Sequence, residues 1–352
     1  MCITSIATGF ATLAAAGIAF AAALTPVSPA PPGATEGVTY NPQTGNYVVT
    51  YETQSEYTPK GLYQTIYTPA TKVDPSVESR FKSVNLENKI TYDYRVRNGR
   101  LSEQNLRSIV LVASSADPEV ASPSEWDGSV VENIGGSGHR VGWSYDGDHD
   151  LGGLKPGRSL RGLQLKSRDL PGVGAMELRG ATPIQAYAGY GPNQQVTDEV
   201  HKLDKKNFVP QFAAVPKITV PDPYDGAAVI DALRAHITKD IVELEMIEPV
   251  LASEINRILQ AAADAIRRNS IKAAREHLHD AFKLVQKAHP DLDKDDWDDE
   301  GDDQSKGKSK KVHPIDRLAA RVIAFDIKYV EKRLDKSGDT SGSPGAPSPP
   351  AN

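Results

Sequence analysis

The stretch VPDPYDG at residues 220–226 separates two halves of the chain that have different hydrophobic periods. Before it, apolar residues alternate with polar ones, and Gly and Pro are frequent. After it, apolar residues recur at spacings of three and four, and Gly and Pro nearly vanish until the tail. A period of two is typical of half-buried strands, and a period near 3.6 of amphipathic helices. The sequence therefore predicts a multidomain protein with a β-rich half followed by an all-α half.

The clearest strand is KITYDYRVR at residues 89–97, whose apolar face carries Ile90, Tyr92, Tyr94 and Val96. Its other face is polar, as expected for an antiparallel sheet that has one face in solvent. Further strands are predicted at 47–51, 62–67, 108–113, 140–145, 159–167 and 175–178. Gly and Pro clusters between them indicate two packed antiparallel sheets, a β-sandwich over residues 37–190.

The second half predicts a small antiparallel bundle of four amphipathic helices over residues 223–336. Asp225 is the expected N-cap of the first helix, and Pro249 opens the second. Ser270 is the expected N-cap of the third helix, and the fourth begins near His313. An acidic insert at 291–312 precedes this last helix and is predicted to be disordered, because its like charges repel.

The remaining segments bear on the cellular localisation of the protein. Residues 1–24 are apolar and Ala-rich, which predicts a signal peptide or an uncleaved anchor, although no Lys or Arg precedes the apolar run. Residues 25–36 form a Pro-rich linker, 191–222 are interpreted as a proline-spaced connector, and 337–352 as a disordered tail. We therefore expect an exported protein that is secreted, periplasmic or held at the cell surface.

Parts of both halves resemble known modules. LKPGRSL at 154–160 and YRVRNG at 94–99 resemble a turn and a strand ending of immunoglobulin-like extracellular modules. ILQAAADAIRRN at 258–269, with KAAREHLHDAF at 272–282, resembles the FIMAH-type helical module of bacterial exported proteins. The acidic insert departs from the usual form of that module. The resemblances imply an immunoglobulin-like sandwich and a helical domain with a spacer, docking or surface-association role, and neither implies a catalytic residue.

Composition narrows the classes of partner. A net charge of -6 argues against nucleic acid, because phosphate binding needs a basic surface. The single cysteine, Cys2, excludes an internal disulfide and a zinc site built from cysteines. The expected partner is a protein or a cell-surface or extracellular polymer, with membrane contact only through an uncleaved N-terminal segment.

Two acidic clusters are candidate calcium sites, and no other cofactor is expected. Asp146, Asp148 and Asp150 alternate in a Gly-rich loop and could offer oxygen ligands to one hard cation, or simply satisfy turn geometry. The second set is Asp291, Asp293 and Asp295, within the insert. With Asp291 counted as the first position, Asp296 and Asp302 stand where a calcium loop has its glycine and its glutamate, which favours a solvated charged loop.

Three other groups of residues bear on function. His139, Asp146 and His149 could be combined with Ser137 into a hydrolase site, but Ser137 lacks the flanking residues of a nucleophile elbow. His236, His277, His279 and His289 are interpreted as solvated helix positions rather than metal ligands. Trp126 and Trp143 are predicted to lie in the core rather than on a sugar-stacking surface.

The sequence thus favours a non-enzymatic exported protein, a β-sandwich binding or assembly module with a helical accessory or spacer domain. The alternatives are a calcium- or carbohydrate-binding surface module and a hydrolase of unrecognised type.

Overall fold

A computed structural model describes residues 24–84, 89–114, 118–132, 138–147, 151–292 and 313–339. The strands are β1 (Val27–Pro29), β2 (Gly37–Asn41), β3 (Asn46–Ser55), β4 (Thr58–Tyr67), β5 (Pro75–Val84), β6 (Lys89–Asn98), β7 (Leu106–Ala113), β8 (Glu119–Ala121), β9 (Trp126–Glu132), β10 (His139–Tyr145), β11 (Ser159–Ser167), β12 (Leu170–Gly180) and β13 (Val209–Ile218). The helices are α1 (Gln194–Asp204), α2 (Gly226–His236), α3 (Pro249–Arg267), α4 (Ile271–Ala288) and α5 (Arg317–Asp339), and a π-helical turn at Ile237–Ile241 continues α2.

Two antiparallel sheets form the sandwich, with strand orders β13-β12-β7-β10-β9 and β5-β6-β11-β8. The alternation seen in the sequence places Tyr92 and Tyr94 of β6 in the core, both fully buried. Trp143 is 1% exposed and Trp126 is 8% exposed, so the prediction that both tryptophans lie in the core is confirmed. An antiparallel β-sandwich followed by a helical bundle is therefore the fold class, as predicted.

The first four strands belong to a separate sheet, with the order β1-β4-β3-β2. Its face packs against α1 in a small core of its own, made of Val49, Tyr51, Tyr67, Val196 and Val200. β1 pairs with β4 within residues expected to be a Pro-rich linker, so that interpretation is wrong for 27–29. Pro29 is tolerated there because β1 is an edge strand, where a missing N–H breaks no inner ladder bond.

The interpretation of 191–222 as a connector is wrong for most of its length. The segment contains α1 and then β13, which pairs with β12 from Val209 to Ile218. Pro210 and Pro216 misled the sequence interpretation, and both fit because β13 is an edge strand of its sheet. Consecutive buried residues at 213–215 replace the alternation expected of a half-exposed strand.

The four C-terminal helices pack in a ring, each against its neighbour in sequence, and α5 closes the ring against α2. Asp225 caps α2 as predicted, since its carboxylate accepts hydrogen bonds from the backbone N–H groups of Ala227 and Ala228. Pro249 and Ser270 also stand at the predicted helix starts. None of the helices in the described ranges is both long and apolar enough to cross a membrane.

The bundle and the sandwich share one continuous hydrophobic core. Phe81 of β5 meets Phe325 of α5 edge to face, with ring centres 5.1 Å apart. Arg321 donates to the backbone carbonyl of Ser79 over 3.3 Å and lies over the Phe81 ring. These contacts hold the bundle against the seam between β5 and β13.

Candidate binding cleft

The predicted calcium residues are only partly covered by the described ranges. Asp146 follows β10, and its backbone N–H donates to the carbonyl of Glu125 over 2.9 Å. Asp148, Asp150, Asp293 and Asp295 lie outside the described residues, as do Ser137 and His149. Asp291 lies just beyond α4. Among the residues that the structure describes, no group of three or more His, Cys, Asp or Glu side chains could hold a metal ion. Calcium binding at both clusters stays a prediction.

The interpretation of the helical histidines as solvated is wrong for two of the four. His236 and His289 are 4% and 6% exposed, whereas His279 is exposed and His277 half-buried. His236 is held on both sides, because its Nε2 accepts from the N–H of Val173 over 2.9 Å and its Nδ1 lies 2.6 Å from Asp240. With both ring nitrogens bonded, His236 fastens α2 to β12 and is not free for catalysis.

A cleft of about 450 Å³ lies on the small N-terminal unit, between α1 and a segment that we name the strap, residues 185–192. Helix α1 is capped by Asn193, whose Oδ1 accepts from the N–H of Val196 over 3.0 Å. Val196 and Val200 bury the inner side of α1 against the sheet. The cleft side of the helix therefore presents Thr197, His201 and Asp204, at the i, i+4 and i+7 spacing of one helix face.

The strap is fastened to the sheet at every second residue. The backbone N–H of Ala186 donates to Thr25 Oγ1 over 2.9 Å, and that of Ala188 to the Tyr51 hydroxyl over 2.7 Å. The N–H of Tyr190 donates to Thr53 Oγ1 over 3.1 Å. These side-chain acceptors replace a partner strand and fix the strap along the sheet.

Two glycines give the strap its course. Gly189 and Gly191 have φ angles of +55° and +78°, which L side chains rarely adopt. A Cβ at Gly189 would also lie 2.8 Å from Thr53 Oγ1. The backbone therefore passes close to the sheet at Gly189, and Tyr190, which follows, is 82% exposed beside the cleft.

The lining combines aromatic rings with hydrogen-bonding groups. Tyr187 packs edge to face on Tyr51, with ring centres 5.4 Å apart, and burial raises its pKa to about 12, so its hydroxyl is neutral at pH 7. Asp204 accepts a hydrogen bond from the Tyr67 hydroxyl over 2.6 Å. Gln185 Nε2 is buried and has no hydrogen-bond partner among the described atoms. An amide donor in this position can bond to a ligand oxygen.

The helical wall of the cleft carries a hydroxyl and an imidazole. Thr197 Oγ1 donates to the Asn193 carbonyl over 2.9 Å, and His201 lies one turn further along the same helix face. The wall therefore presents a hydroxyl oxygen and ring nitrogens to a ligand.

Sequence reasoning missed this cleft, because α1 fell inside the supposed connector. The available signal was the string AYAGYGPN at 186–193, where exposed tyrosines alternate with glycines just before a helix cap. Such a string predicts a turn-rich loop that displays aromatic rings. The string itself does not indicate which sheet the segment crosses.

Comparison with known proteins assigns this chain to no family. No protein-family model matches the chain, and no curated protein is significantly similar to it. A solved structure of an uncharacterized protein from Nocardia farcinica, described as having an immunoglobulin-like fold, is similar at 15% identity and a TM-score of 0.24. The match covers 29% of this chain and 75% of that one. The strand pairing itself, rather than this match, establishes the antiparallel sandwich.

Proposed function

We propose that this chain is a non-enzymatic, exported binding protein that recognises carbohydrate at the cleft between α1 and the strap. One observation carries the proposal: the exposed Tyr190 ring lies beside Gln185 and Asp204 in one concave site. Binding sites typically combine apolar and aromatic walls with a few convergent polar groups.

The chemistry of the lining favours a sugar over an apolar ligand. A pyranose ring presents C–H groups on its flat faces, which pack on aromatic rings, and hydroxyls around its edge. The Tyr187 and Tyr190 rings would contact those faces, while a buried amide donor and a carboxylate acceptor would bond the hydroxyls. The wide opening of the cleft between strap and helix would admit an internal unit of a polymer.

The other parts of the proposal rest on the sequence. Export rests on the apolar segment 1–24, and the surface-association role of the helices on their FIMAH-like residues at 258–282. Because the helices share a core with the sandwich, we propose that they act as a rigid base for the binding unit and not as a hinged spacer.

Affinity electrophoresis through gels containing dextran, xylan or soluble β-glucan, followed by calorimetry with the matching hexasaccharides, tests the proposal. Wild-type protein should be retarded by at least one polymer. Tyr190→Ala should weaken hexasaccharide binding about tenfold, which corresponds to loss of about 1.4 kcal/mol of contact energy. If the wild type bound none of the polymers, the proposal would be refuted.

Tyr57→Ala is the matched control. Tyr57 is 89% exposed in the turn between β3 and β4 of the same sheet, and it does not line the cleft. The Tyr57→Ala variant should bind the hexasaccharide as tightly as the wild type does. Equal losses of affinity in the two tyrosine variants would indicate nonspecific binding to exposed aromatic rings and would contradict a site at the strap.

A further inference from the structure

Two histidines meet at the base of the acidic insert. His289 caps the C-terminus of α4, and His313 is the first described residue before α5. Their ring centres are 4.4 Å apart, with the planes tilted by 33°. The chain continues from His289 to Leu292, which is buried in the large core, and His313 precedes α5.

The His289 ring is unusual because it is only 6% exposed and its buried Nδ1 has no hydrogen-bond partner among the described atoms. Buried polar atoms in folded proteins are nearly always bonded. An unbonded imidazole nitrogen beside a second imidazole is therefore a vacant donor atom for a ligand.

We propose that His289 and His313 form a two-histidine site for a borderline divalent transition ion such as Zn²⁺, Ni²⁺ or Cu²⁺. Imidazole nitrogen is the donor that these ions share, whereas calcium prefers oxygen. With Zn–N bonds of about 2.0–2.1 Å, two imidazoles on one ion have ring centres about 4.5–5.5 Å apart. The observed separation of the ring centres, 4.4 Å, is close to that range.

Within the described ranges, no third His, Cys, Asp or Glu side chain joins the pair in a metal-binding group, so the proposal assigns two protein ligands to the ion. A two-histidine site of this kind is weaker than a closed structural zinc site. Its consequence is mechanical, because the ion would link the C-cap residue of α4 to the segment that precedes α5.

The test is calorimetric titration of the untagged, full-length protein with ZnCl₂ at pH 7.5. We expect one micromolar site for the wild type and at least tenfold weaker binding for His313→Ala. His313 is only half-buried, so this variant should fold. Circular dichroism checks that it does, and His289→Ala gives a second measurement of the same loss.

His279→Ala, on an exposed position of α4, is the matched control and should keep wild-type affinity. Electron paramagnetic resonance of the Cu²⁺-loaded protein should show coupling to two nitrogens, and to one in His313→Ala. Unchanged zinc affinity in His313→Ala, or zinc binding fully displaced by millimolar Ca²⁺, would assign the metal to carboxylates and overturn the proposal. Absence of zinc binding by the wild type would do the same.

Discussion

The two hydrophobic cores of this molecule differ in size and in how they are held. The large core runs through the sandwich and the bundle, while the small one has five buried residues between its sheet and α1. In the large core, the Tyr92 and Tyr94 hydroxyls donate to backbone carbonyls 77 and 120 residues away. In the small core, the Tyr51 hydroxyl instead accepts from the strap that lines the cleft.

This difference indicates where stability and function lie. Burial of apolar surface scales with the size of a unit, so the small unit gains little from its core and depends on individual hydrogen bonds. Elements that bind ligands commonly belong to the less stable parts of a structure. The candidate cleft follows that pattern, because it lies on the small unit while the large core provides a rigid base.

The largest expected effect comes from damage to the large core within the bundle. Leu259 of α3 is fully buried, and Leu259→Ala should cost about 2–5 kcal/mol of unfolding free energy through lost contacts and a cavity. Because the core is continuous, the unfolding transition of the sandwich should shift together with that of the helices. The fluorescence of Trp126 and Trp143, in a Trp297→Phe background, reports the first transition, and helical circular dichroism reports the second. Urea unfolding followed by both signals measures this.

Leu101→Ala is the control, since Leu101 is 87% exposed and its loss should change stability by less than about 0.5 kcal/mol. If Leu259→Ala shifted the helical transition and left the tryptophan transition in place, the sandwich and the bundle would be independent units. The molecule would then contain three separately stable units, which are the small unit, the sandwich and the bundle.

A smaller effect is expected at the junction between the sandwich and the bundle. His236→Leu leaves the Val173 N–H without its acceptor and should cost about 1–3 kcal/mol. Chemical denaturation at pH 8 measures this loss, and His279→Leu, at an exposed position of α4, should cost far less.

The same histidine predicts a pH dependence. Burial lowers the pKa of His236 below 6.5, although Asp240 opposes the shift, so the unfolded chain takes up a proton before the folded one does. The stability that His236 contributes is therefore complete above pH 6.5 and is lost as the pH falls through the folded-state pKa. Denaturation midpoints between pH 8 and 5 should fall more steeply in the wild type than in His236→Leu. If the midpoints of the two proteins fell equally with pH, the pKa of His236 would not be lowered in the folded state.

The smallest expected effect concerns the strap. Tyr51→Phe removes the acceptor of the Ala188 N–H and should cost about 0.5–1.5 kcal/mol, confined to the small unit. Hydrogen exchange should show faster exchange at strap amides 186–190 and no change in the sandwich. Tyr57→Phe, in the exposed turn, should leave both unchanged. Faster exchange throughout the sandwich would show that the small unit does not open separately.

Local patterns explain how far the sequence could predict this fold. The alternation at 89–97 correctly placed Tyr92 and Tyr94 inside, and Asp225 identified a helix start, because both signals depend on neighbours in sequence. Strand β13 was missed because prolines at this spacing are typical of a connector. They are compatible with a strand only at the edge of a sheet, and the sequence does not show that β13 lies there.

The candidate cleft was missed for a similar reason. Its walls come from the strap and α1, and the sheet side chains that fix the strap lie about 135–160 residues earlier in the chain. Likewise, His289 looked like a surface residue because the ring that covers it, His313, follows only after the insert. Pairings across such separations leave no mark on local periodicity.

The position of α5 in the chain has a consequence for the order in which the molecule assembles. Arg321 and Phe325 contact β5 residues that precede them by more than 240 positions, so α5, which contacts the seam between β5 and β13, is made only after the whole sandwich. Until that helix emerges, Phe81 and the strand edges beside it stay open to other chains. A product truncated before α5 would therefore be prone to aggregate even though its whole sandwich had been synthesised.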